Sequence, residues 1–286
     1  MMKLSNRVLE MEESVTLAAS ARAAALKAEG RDILSLTLGE PDFTTPENVQ
    51  KAAIAAIQDG KASFYTAASG LPALKDAISS YMETFYGYAV PRNQVVVATG
   101  AKFILYAAFA TLLNPGDEVI IPTPCWVSYV DQVKMVDAVP VTFQTTEAND
   151  FKATVEQLEA ARTEKTKLIL LNSPSNPTGM IYSREELEAI GAWALEHDIL
   201  ILADDIYGRL VYNGHEFTAI SSLSDALRKQ TIVVNGVSKT YAMTGWRVGF
   251  AVAEPEIIAG MAKIISQTTS NLTAVSQYAA IEALTG

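Results

Sequence analysis

A lysine and an arginine follow one apolar stretch of the chain, eight residues apart. Lys239 lies in a turn with Ser238, directly after Thr231–Val234, and Arg247 stands eight residues further on. A lysine in a partly desolvated site has a lowered pKa and can form Schiff bases. The planar guanidinium of an arginine suits a phosphate. This segment therefore predicts amine chemistry beside a bound anion.

Two acids and an amide follow two other apolar stretches. Asp204 and Asp205 end the run that starts at Ile199, and Tyr207 comes two residues later. A carboxylate at a buried strand end is costly unless it is paired, so one acid needs a cationic partner while the other can cap the next turn. Asn176 lies in a loop with two prolines, whose simpler interpretation is a turn between a strand and a helix.

A third apolar stretch, Val95–Ala98, turns through Gly100 into a helix pattern. The free N–H groups at such a helix start, here those of Ala101 and Lys102, can hold a phosphate. Strand–glycine–helix turns are also common without any ligand. A cation in a first helical turn opposes the helix dipole, however, which favours a role for Lys102 in binding an anion over one in stability.

Together these segments supply what pyridoxal phosphate (PLP) requires. They offer a lysine for the Schiff base, a carboxylate for the ring nitrogen, donors for the phosphate, and an asparagine and a tyrosine for the phenolate oxygen. The cofactor is an electron sink, and a carboxylate that keeps its pyridinium protonated improves it. We interpret the four segments as one PLP site.

The elements that must position these residues alternate between strand and helix. Near-continuous apolar runs of this kind are typical of strands buried on both faces. Helix patterns separate them, and Ser183 with Glu186 forms a capping-box signature. The pattern predicts an α/β sheet with helices on both faces. The predicted strands are Val95–Ala98, Glu118–Ile121, Val139–Thr142, Leu168–Leu171, Ile199–Ala203, Thr231–Val234 and Val248–Val252; the main predicted helices are Glu12–Glu29, Lys102–Leu113, Ser183–His197 and Pro255–Thr268.

Composition excludes several other classes of protein. The net charge of -10 disfavours nonspecific nucleic-acid binding, and 49% apolar with 19% charged residues disfavours disorder. One cysteine, Cys125, permits no intramolecular disulfide, and two histidines make a His-rich metal site improbable, so no metal is expected. The sequence lacks a dinucleotide fingerprint, a P-loop, a signal-peptide core and a membrane-length apolar run. We expect a cytoplasmic protein without membrane contact.

In its motifs the chain resembles class I, fold-type I aminotransferases, most closely the bacterial aspartate aminotransferase subgroup. The motifs are Ser238-Lys-x(5)-Gly-Trp-Arg247, Ala203-Asp-Asp-Ile-Tyr207 and Asn172-Ser-Pro-Ser-Asn-Pro-Thr-Gly179. The resemblance implies a three-layer αβα sandwich around a mostly parallel seven-stranded sheet, with part of a smaller domain. It divides the chain into an N-terminal arm and small-domain part at 1–45 and a PLP-binding large domain at 46–286.

The resemblance also implies roles for single residues. Lys239 is the Schiff-base lysine and proton carrier, Asp204 pairs with the ring nitrogen, and Tyr207 and Asn176 bind the phenolate oxygen. Trp126 stacks on the ring and also borders the substrate. The phosphate is held by Ala101, Lys102, Ser238, Arg247 and, from the partner subunit of a homodimer, Tyr65. Substrate contacts fall to Gly39 through its backbone, to Asn176, and to Lys102 and Thr16 near the distal carboxylate of aspartate.

The implied reaction is a ping-pong transfer of an amino group from L-aspartate, or a similar amino acid, to 2-oxoglutarate. Alternatives with the same cofactor residues are a C–S lyase and an aromatic aminotransferase, and a third is a PLP-binding or dimerising module without turnover. No residue here matches the family's arginine for the substrate α-carboxylate, which lies in its C-terminal small domain. We therefore expect a C-terminally truncated chain with weak or no activity.

Overall fold

The computed structural model describes residues 4–9, 11 and 15–286. Its strands are β1 Val95–Thr99, β2 Glu118–Thr123, β3 Val139–Gln144, β4 Thr166–Asn172, β5 Leu200–Asp204, β6 Thr231–Gly236 and β7 Val248–Val252. Its helices are α1 Asn6–Leu9, α2 Val15–Ala28, α3 Glu47–Gln58, α4 Pro72–Tyr86, α5 Gly100–Leu112, α6 Ser128–Met135, α7 Val155–Ala161, α8 Arg184–Glu196, α9 Asp225–Gln230, α10 Pro255–Thr268 and α11 Ala274–Thr285. Each of the seven predicted strands is therefore present: five are longer than predicted by one to three residues, β5 is shifted by one residue towards the C-terminus, and β7 has the predicted bounds.

The seven strands form one sheet in the order β1-β7-β6-β5-β4-β2-β3. Strand β7 runs antiparallel to both of its neighbours, and the other pairs are parallel. The central strands β5, β6 and β7 are buried nearly throughout, which explains their continuous apolar sequence. The predicted mostly parallel α/β sheet is confirmed.

Helices cover both faces of the sheet and make three layers. Apolar side chains of α5, α6 and α10 pack on one face. The opposite face is covered by α3, α4 and α11 over β1, β7 and β6, and by α7 and α8 over β4 and β5. The strands thus place their carboxyl ends between two helical layers, where open α/β sheets hold ligands.

Helix ends follow from local sequence. Ser183 and Glu186 form the predicted capping box at the start of α8, and His197 is its C-terminal capping residue. The N-terminal helix pattern is observed as Val15–Ala28, since residues 12–14 lie outside the described part, and Gly30 follows it with a φ of 83°. The extended stretch at 32–38 pairs with no strand in the described part of the chain.

Candidate functional site

The ends of β4, β5 and β6 bring the first site residues together. Asn172 pairs with Asp204 in the sheet register, and its side-chain amide donates to the Asp204 carbonyl oxygen at 2.8 Å. Its side-chain oxygen accepts the backbone N–H of Asn176 at 2.7 Å. One side chain therefore ties the loop after β4 to the end of β5.

Asp204 is a buried acid with a defined set of donors. It is 3% exposed, Tyr129 donates to its Oδ2 at 2.8 Å, and the N–H of Ile206 donates to its Oδ1 at 3.3 Å. Burial raises the pKa of Asp204 to about 6, although the bonds from Tyr129 and Ile206 oppose this rise. Because no cation of the described chain pairs with it, Asp204 is suited to a cationic ligand group.

Tyr207 and Asn176 meet beside this acid. Burial, followed by the nearby charge of Asp204, raises the pKa of Tyr207, so the phenol is a neutral donor at pH 7. Against this rise, the side chain of Asn176 acts on the Tyr207 hydroxyl and lowers the pKa of that phenol. The two residues can present an amide and a hydroxyl to one ligand oxygen.

Lys239 lies three residues beyond the end of β6. Its Nζ donates to the Gly39 carbonyl oxygen and lies 5.9 Å from the centre of the Tyr207 ring. Burial lowers the pKa of Lys239, and the charge of Arg247 lowers it further, while Glu40 opposes the shift. A lowered pKa increases the neutral amine fraction, the nucleophilic form that Schiff-base chemistry requires.

The start of α5 forms a cradle for an anion. Gly100 has a φ of 80°, and a Cβ there would overlap the guanidinium of Arg247. Gly249 of β7 likewise allows the backbone of Ala101 to approach, since a Cβ would collide with it. Thr99 supplies no side-chain cap, so the first N–H groups of α5 are open to a ligand next to Arg247.

Three cationic side chains act on one another at this edge of the sheet, namely those of Lys102, Lys239 and Arg247. Burial, and after it the charge of Arg247, lowers the pKa of Lys102, whose Nζ lies 4.8 Å from the centre of the Trp126 ring. Lys239 is influenced by the same arginine. Among the described residues none of the three cations forms an ion pair with a carboxylate. The arrangement is therefore suited to an anionic ligand.

The remaining predicted site residues are Tyr65, Gly39, Ser238 and Thr16. Tyr65 is 90% exposed, unlike the buried residues of this site. Gly39 contacts the site through its carbonyl oxygen, which accepts a hydrogen bond from the Nζ of Lys239. Ser238 is buried after β6. The side chain of Thr16 lies outside the described part of the structure.

Sequence reasoning missed Tyr129 and Asn172 as site residues. Tyr129 follows Trp126 by three residues, which is one helical turn, and the two rings meet edge to face at 5.3 Å. That spacing is the signal that finds Tyr129, because the turn that leads into α6 brings residues three apart together, with the Tyr129 N–H donating to the Trp126 carbonyl oxygen at 3.1 Å. Asn172 carries a weaker signal, as a polar residue that ends an apolar strand.

The residues fit pyridoxal phosphate in three independent ways. The open start of α5 with the guanidinium at Gly100 suits the phosphate. The buried, cation-free Asp204 suits a protonated ring nitrogen, and Lys239 has the depressed pKa of a Schiff-base lysine. A three-layer sandwich with this set at the carboxyl edge of its sheet defines a fold-type I enzyme of pyridoxal phosphate.

Comparison with known proteins identifies the family. The profile of "Aminotransferase class I and II" matches residues 31–286. An asparagine–oxo-acid transaminase of Streptococcus mutans is 73% identical over all 286 residues, which are 73% of its own length. An aspartate aminotransferase of Bacillus sp. YM-2 is 50% identical over 99% of this chain and 72% of its own. The chain belongs to the class I and II aminotransferases, a PLP-dependent family.

Solved structures agree with this assignment. The aspartate aminotransferase of Rhizobium meliloti superposes with a TM-score of 0.96 at 44% identity and covers all of this chain, which spans 72% of it. That of Thermus thermophilus, solved with maleate, gives 0.95 at 40% identity, and this chain spans 73% of it. The implied fold type is confirmed, and the chain is an aminotransferase of the aspartate aminotransferase type.

Proposed function

We propose that the enzyme transfers the amino group of L-aspartate to 2-oxoglutarate by a ping-pong route. The observation that carries this donor is the ammonium of Lys102, held over Trp126 and apart from any described carboxylate. Lys239 and Arg247 serve the cofactor in this proposal, so the remaining cation, Lys102, suits the distal carboxylate of a four-carbon acid. The Thermus relative was solved with maleate, which is a four-carbon dicarboxylate.

The proposed cofactor contacts use the residues described above. The phosphate is held by the N–H groups of Ala101 and Lys102, with Ser238, Arg247 and Tyr65 of the partner subunit; Trp126 covers the ring, and Tyr207 and Asn176 bind the phenolate oxygen. Bound pyridoxal phosphate supplies an electron sink for the electrons of the substrate Cα–H bond. Asp204 holds a proton at the ring nitrogen, and the amine of Lys239 takes the Cα proton and returns it to the cofactor side.

Substrate contacts complete the proposal. Gly39 and Asn176 border the substrate α-carboxylate, and Lys102 and Thr16 border the distal one. Because Lys102 is partly buried, its ammonium is partly desolvated already and interacts strongly with an anion. This charge distinguishes aspartate from amino acids with apolar side chains.

A donor panel with Lys102→Met tests the proposal. A charge-assisted hydrogen bond contributes about 1.5–3 kcal/mol, so kcat/KM for aspartate is expected to fall about 10- to 150-fold. Lys134→Met, at an exposed lysine of α6, is the matched control and leaves kcat/KM unchanged. An equal loss for aspartate and for alanine as donors would refute the assignment of Lys102.

L-asparagine is the second candidate donor, favoured by the 73% identity to an asparagine–oxo-acid transaminase. It has the same carbon skeleton but a neutral amide, so its kcat/KM is expected to respond weakly to Lys102→Met. A higher kcat/KM for asparagine than for aspartate in the unaltered enzyme would exchange the two donors. Keto-acid detection in the same panel separates both from C–S lysis and from aromatic transamination, and formation of no product would favour a PLP-binding module without turnover.

We further propose a cytoplasmic homodimer with shared sites. The exposed Phe64 and Tyr65, 77% and 90% accessible, support an interface at this loop. Light scattering is expected to give twice the chain mass of 30.8 kDa, and a monomer at micromolar concentration would overturn the dimer.

The domain boundary at residue 46, directly before α3, is also part of this proposal: residues 1–45 belong to an arm and a small domain, and residues 46–286 form the large domain. Among the described residues no helix is long and apolar enough to cross a membrane.

A further inference from the structure

Asp205 is a second buried acid directly beside Asp204, and it faces the opposite side of the sheet. Tyr129, which contacts Asp204, belongs to the helical layer on one face of the sheet. Tyr86, which contacts Asp205, belongs to the layer on the other face, so the two carboxyls point apart. Asp205 is 4% exposed, and the hydroxyl of Tyr86, from α4, donates to its Oδ2 at 3.0 Å. Asn235 of β6 donates to the same hydroxyl at 3.1 Å. The three side chains form a buried hydrogen-bonded chain behind the cofactor site.

The surroundings of this chain contain no cationic partner for Asp205 among the described residues. The guanidinium groups of Arg209 and Arg228 pack over the rings of Phe85 at 3.9 Å and Tyr88 at 4.8 Å, and they act on the surrounding tyrosines rather than on Asp205. The titratable groups that interact with Asp205 are acids and phenols: Asp204, Tyr81, Tyr86 and Tyr88. An anion at this place would therefore be unpaired and next to a second carboxylate.

An uncharged Asp205 resolves this conflict. A buried carboxylate without a cation loses its hydration without compensation, and such groups become protonated instead. Burial accordingly raises the pKa of Asp205 well above its usual range, and the neighbouring Asp204 raises it further, against the bond from Tyr86. A protonated carboxyl keeps its hydrogen bonding to Tyr86, because the phenol can both donate and accept.

We propose that Tyr86 and Asn235 hold Asp205 as a neutral acid, so that Asp204 carries the single negative charge at the end of β5. Asp205 is then a positioning residue, which acts on the cofactor through the charge of Asp204. The inference rests on the proposed pairing of Asp204 with the ring nitrogen. A second anion next to Asp204 would favour its protonation and weaken that pairing.

The first test measures unfolding of the cofactor-free protein in urea between pH 5 and 8. A carboxyl with a raised native pKa stabilises the fold fully below its unfolded pKa, near 3.9, and loses that contribution as pH rises towards the native pKa. The folded-to-unfolded ratio of the unaltered protein is therefore expected to fall as pH rises, by up to tenfold per pH unit, relative to Asp205→Asn. Asp42→Asn, at an exposed aspartate, controls for the loss of one carboxyl. Parallel pH profiles for the unaltered protein and Asp205→Asn would overturn the proposal.

A second measurement needs no folded Asp205 variant. In protein labelled with ¹³C at the aspartate carboxyls, one buried resonance is expected to keep the chemical shift of a protonated acid at pH 7, and Tyr86→Phe is expected to move it. Absence of such a resonance would overturn the neutral state.

The third test uses the PLP-loaded enzyme. Asn replaces a neutral acid by a neutral amide, so the pH midpoint of the bound cofactor's absorbance is expected to be the same in Asp205→Asn and the unaltered enzyme. A midpoint shifted to lower pH would mean that Asp205 carries a charge. If Asp204→Asn leaves the cofactor spectrum unchanged, the pairing of Asp204 with the ring nitrogen fails, whereas the cofactor-free results on Asp205 stand.

Discussion

Removal of the Tyr129 hydroxyl is the most direct test of how the fold controls Asp204. The bond at 2.8 Å favours the ionised carboxylate. A hydrogen bond to a charged group contributes about 1.5–3 kcal/mol, and one pKa unit corresponds to about 1.4 kcal/mol. Tyr129→Phe is therefore expected to raise the pKa of Asp204 from about 6 by roughly one to two units. At pH 7 the ionised fraction falls from about nine-tenths to about a quarter, for a shift in the middle of that range.

Two assays follow this shift. In the cofactor-free protein, the cost of Tyr129→Phe to the free energy of unfolding is expected to grow by about 1–2 kcal/mol between pH 6 and 8. Asp204 stays protonated to a higher pH in the native variant than in the unaltered native protein. Because a native pKa above the unfolded pKa makes the free energy of unfolding fall as pH rises, the variant loses more stability than the unaltered protein over this range. In the loaded enzyme, Tyr129→Phe is expected to raise the cofactor dissociation constant by a larger factor at pH 6 than at pH 8, because both proteins carry an ionised Asp204 at the higher pH.

Tyr182→Phe is the matched control for Tyr129→Phe. Tyr182 is also a buried tyrosine, but its hydroxyl accepts from the Ala153 N–H at 2.8 Å and contacts no acid at the site. Its loss is expected to cost a free energy of unfolding that does not change with pH. If the two variants show the same pH profile, the hydroxyl of Tyr129 does not control Asp204, and the reasoning is refuted.

Three further changes test other parts of the site and fold. After borohydride reduction, the unaltered protein is expected to carry the added mass of the covalently bound cofactor, and Lys239→Ala is expected to lack it. An added mass retained in Lys239→Ala would mean that the Schiff base forms at another residue. Gly100→Ala, which puts a Cβ onto Arg247, is expected to raise the cofactor dissociation constant at least tenfold; Gly87→Ala, with a similar φ of 79° in open space, is the control, and equal affinities would contradict the cradle. Ser183→Ala is expected to lower the free energy of unfolding by about 0.5–2 kcal/mol without changing cofactor affinity, and a loss of affinity would contradict a purely local cap.

The fold could be predicted from sequence because its strands are buried on both faces. Runs such as Val248–Val252 are apolar without interruption, and the observed strand has the same bounds. The capping box at Ser183 was equally readable, since its two residues are three positions apart and each side chain bonds to the other's backbone N–H. Residues 32–38 have the composition of an extended segment, but the sequence could not tell whether they join the sheet, because an extended segment becomes a strand only when a partner strand lies beside it.

The site could be predicted where one segment carries its own chemistry. Lys239, Asp204 and Arg247 each follow or precede a strand of the sheet, so topology alone brings them to one edge. Tyr129 could not be found this way, because its contact with Asp204 joins residues 75 positions apart and depends on the rotation of α6. The difference between Asp204 and Asp205 also required the structure, since it arises from which side chains cover each face.

The antiparallel orientation of β7 explains why the short segment 239–247 supplies both the lysine and the arginine of the site. Strand β7 lies between β1 and β6, with Thr99 opposite Val248 and Gly236 opposite Gly249. Its first residue therefore lies at the edge where β1 and β6 end. The chain from Lys239 to Arg247 stays at this edge because it leaves β6 and enters β7 without crossing the sheet. Had β7 been parallel, Arg247 would lie at the opposite edge, a strand length away from the start of α5, and no phosphate cradle would form.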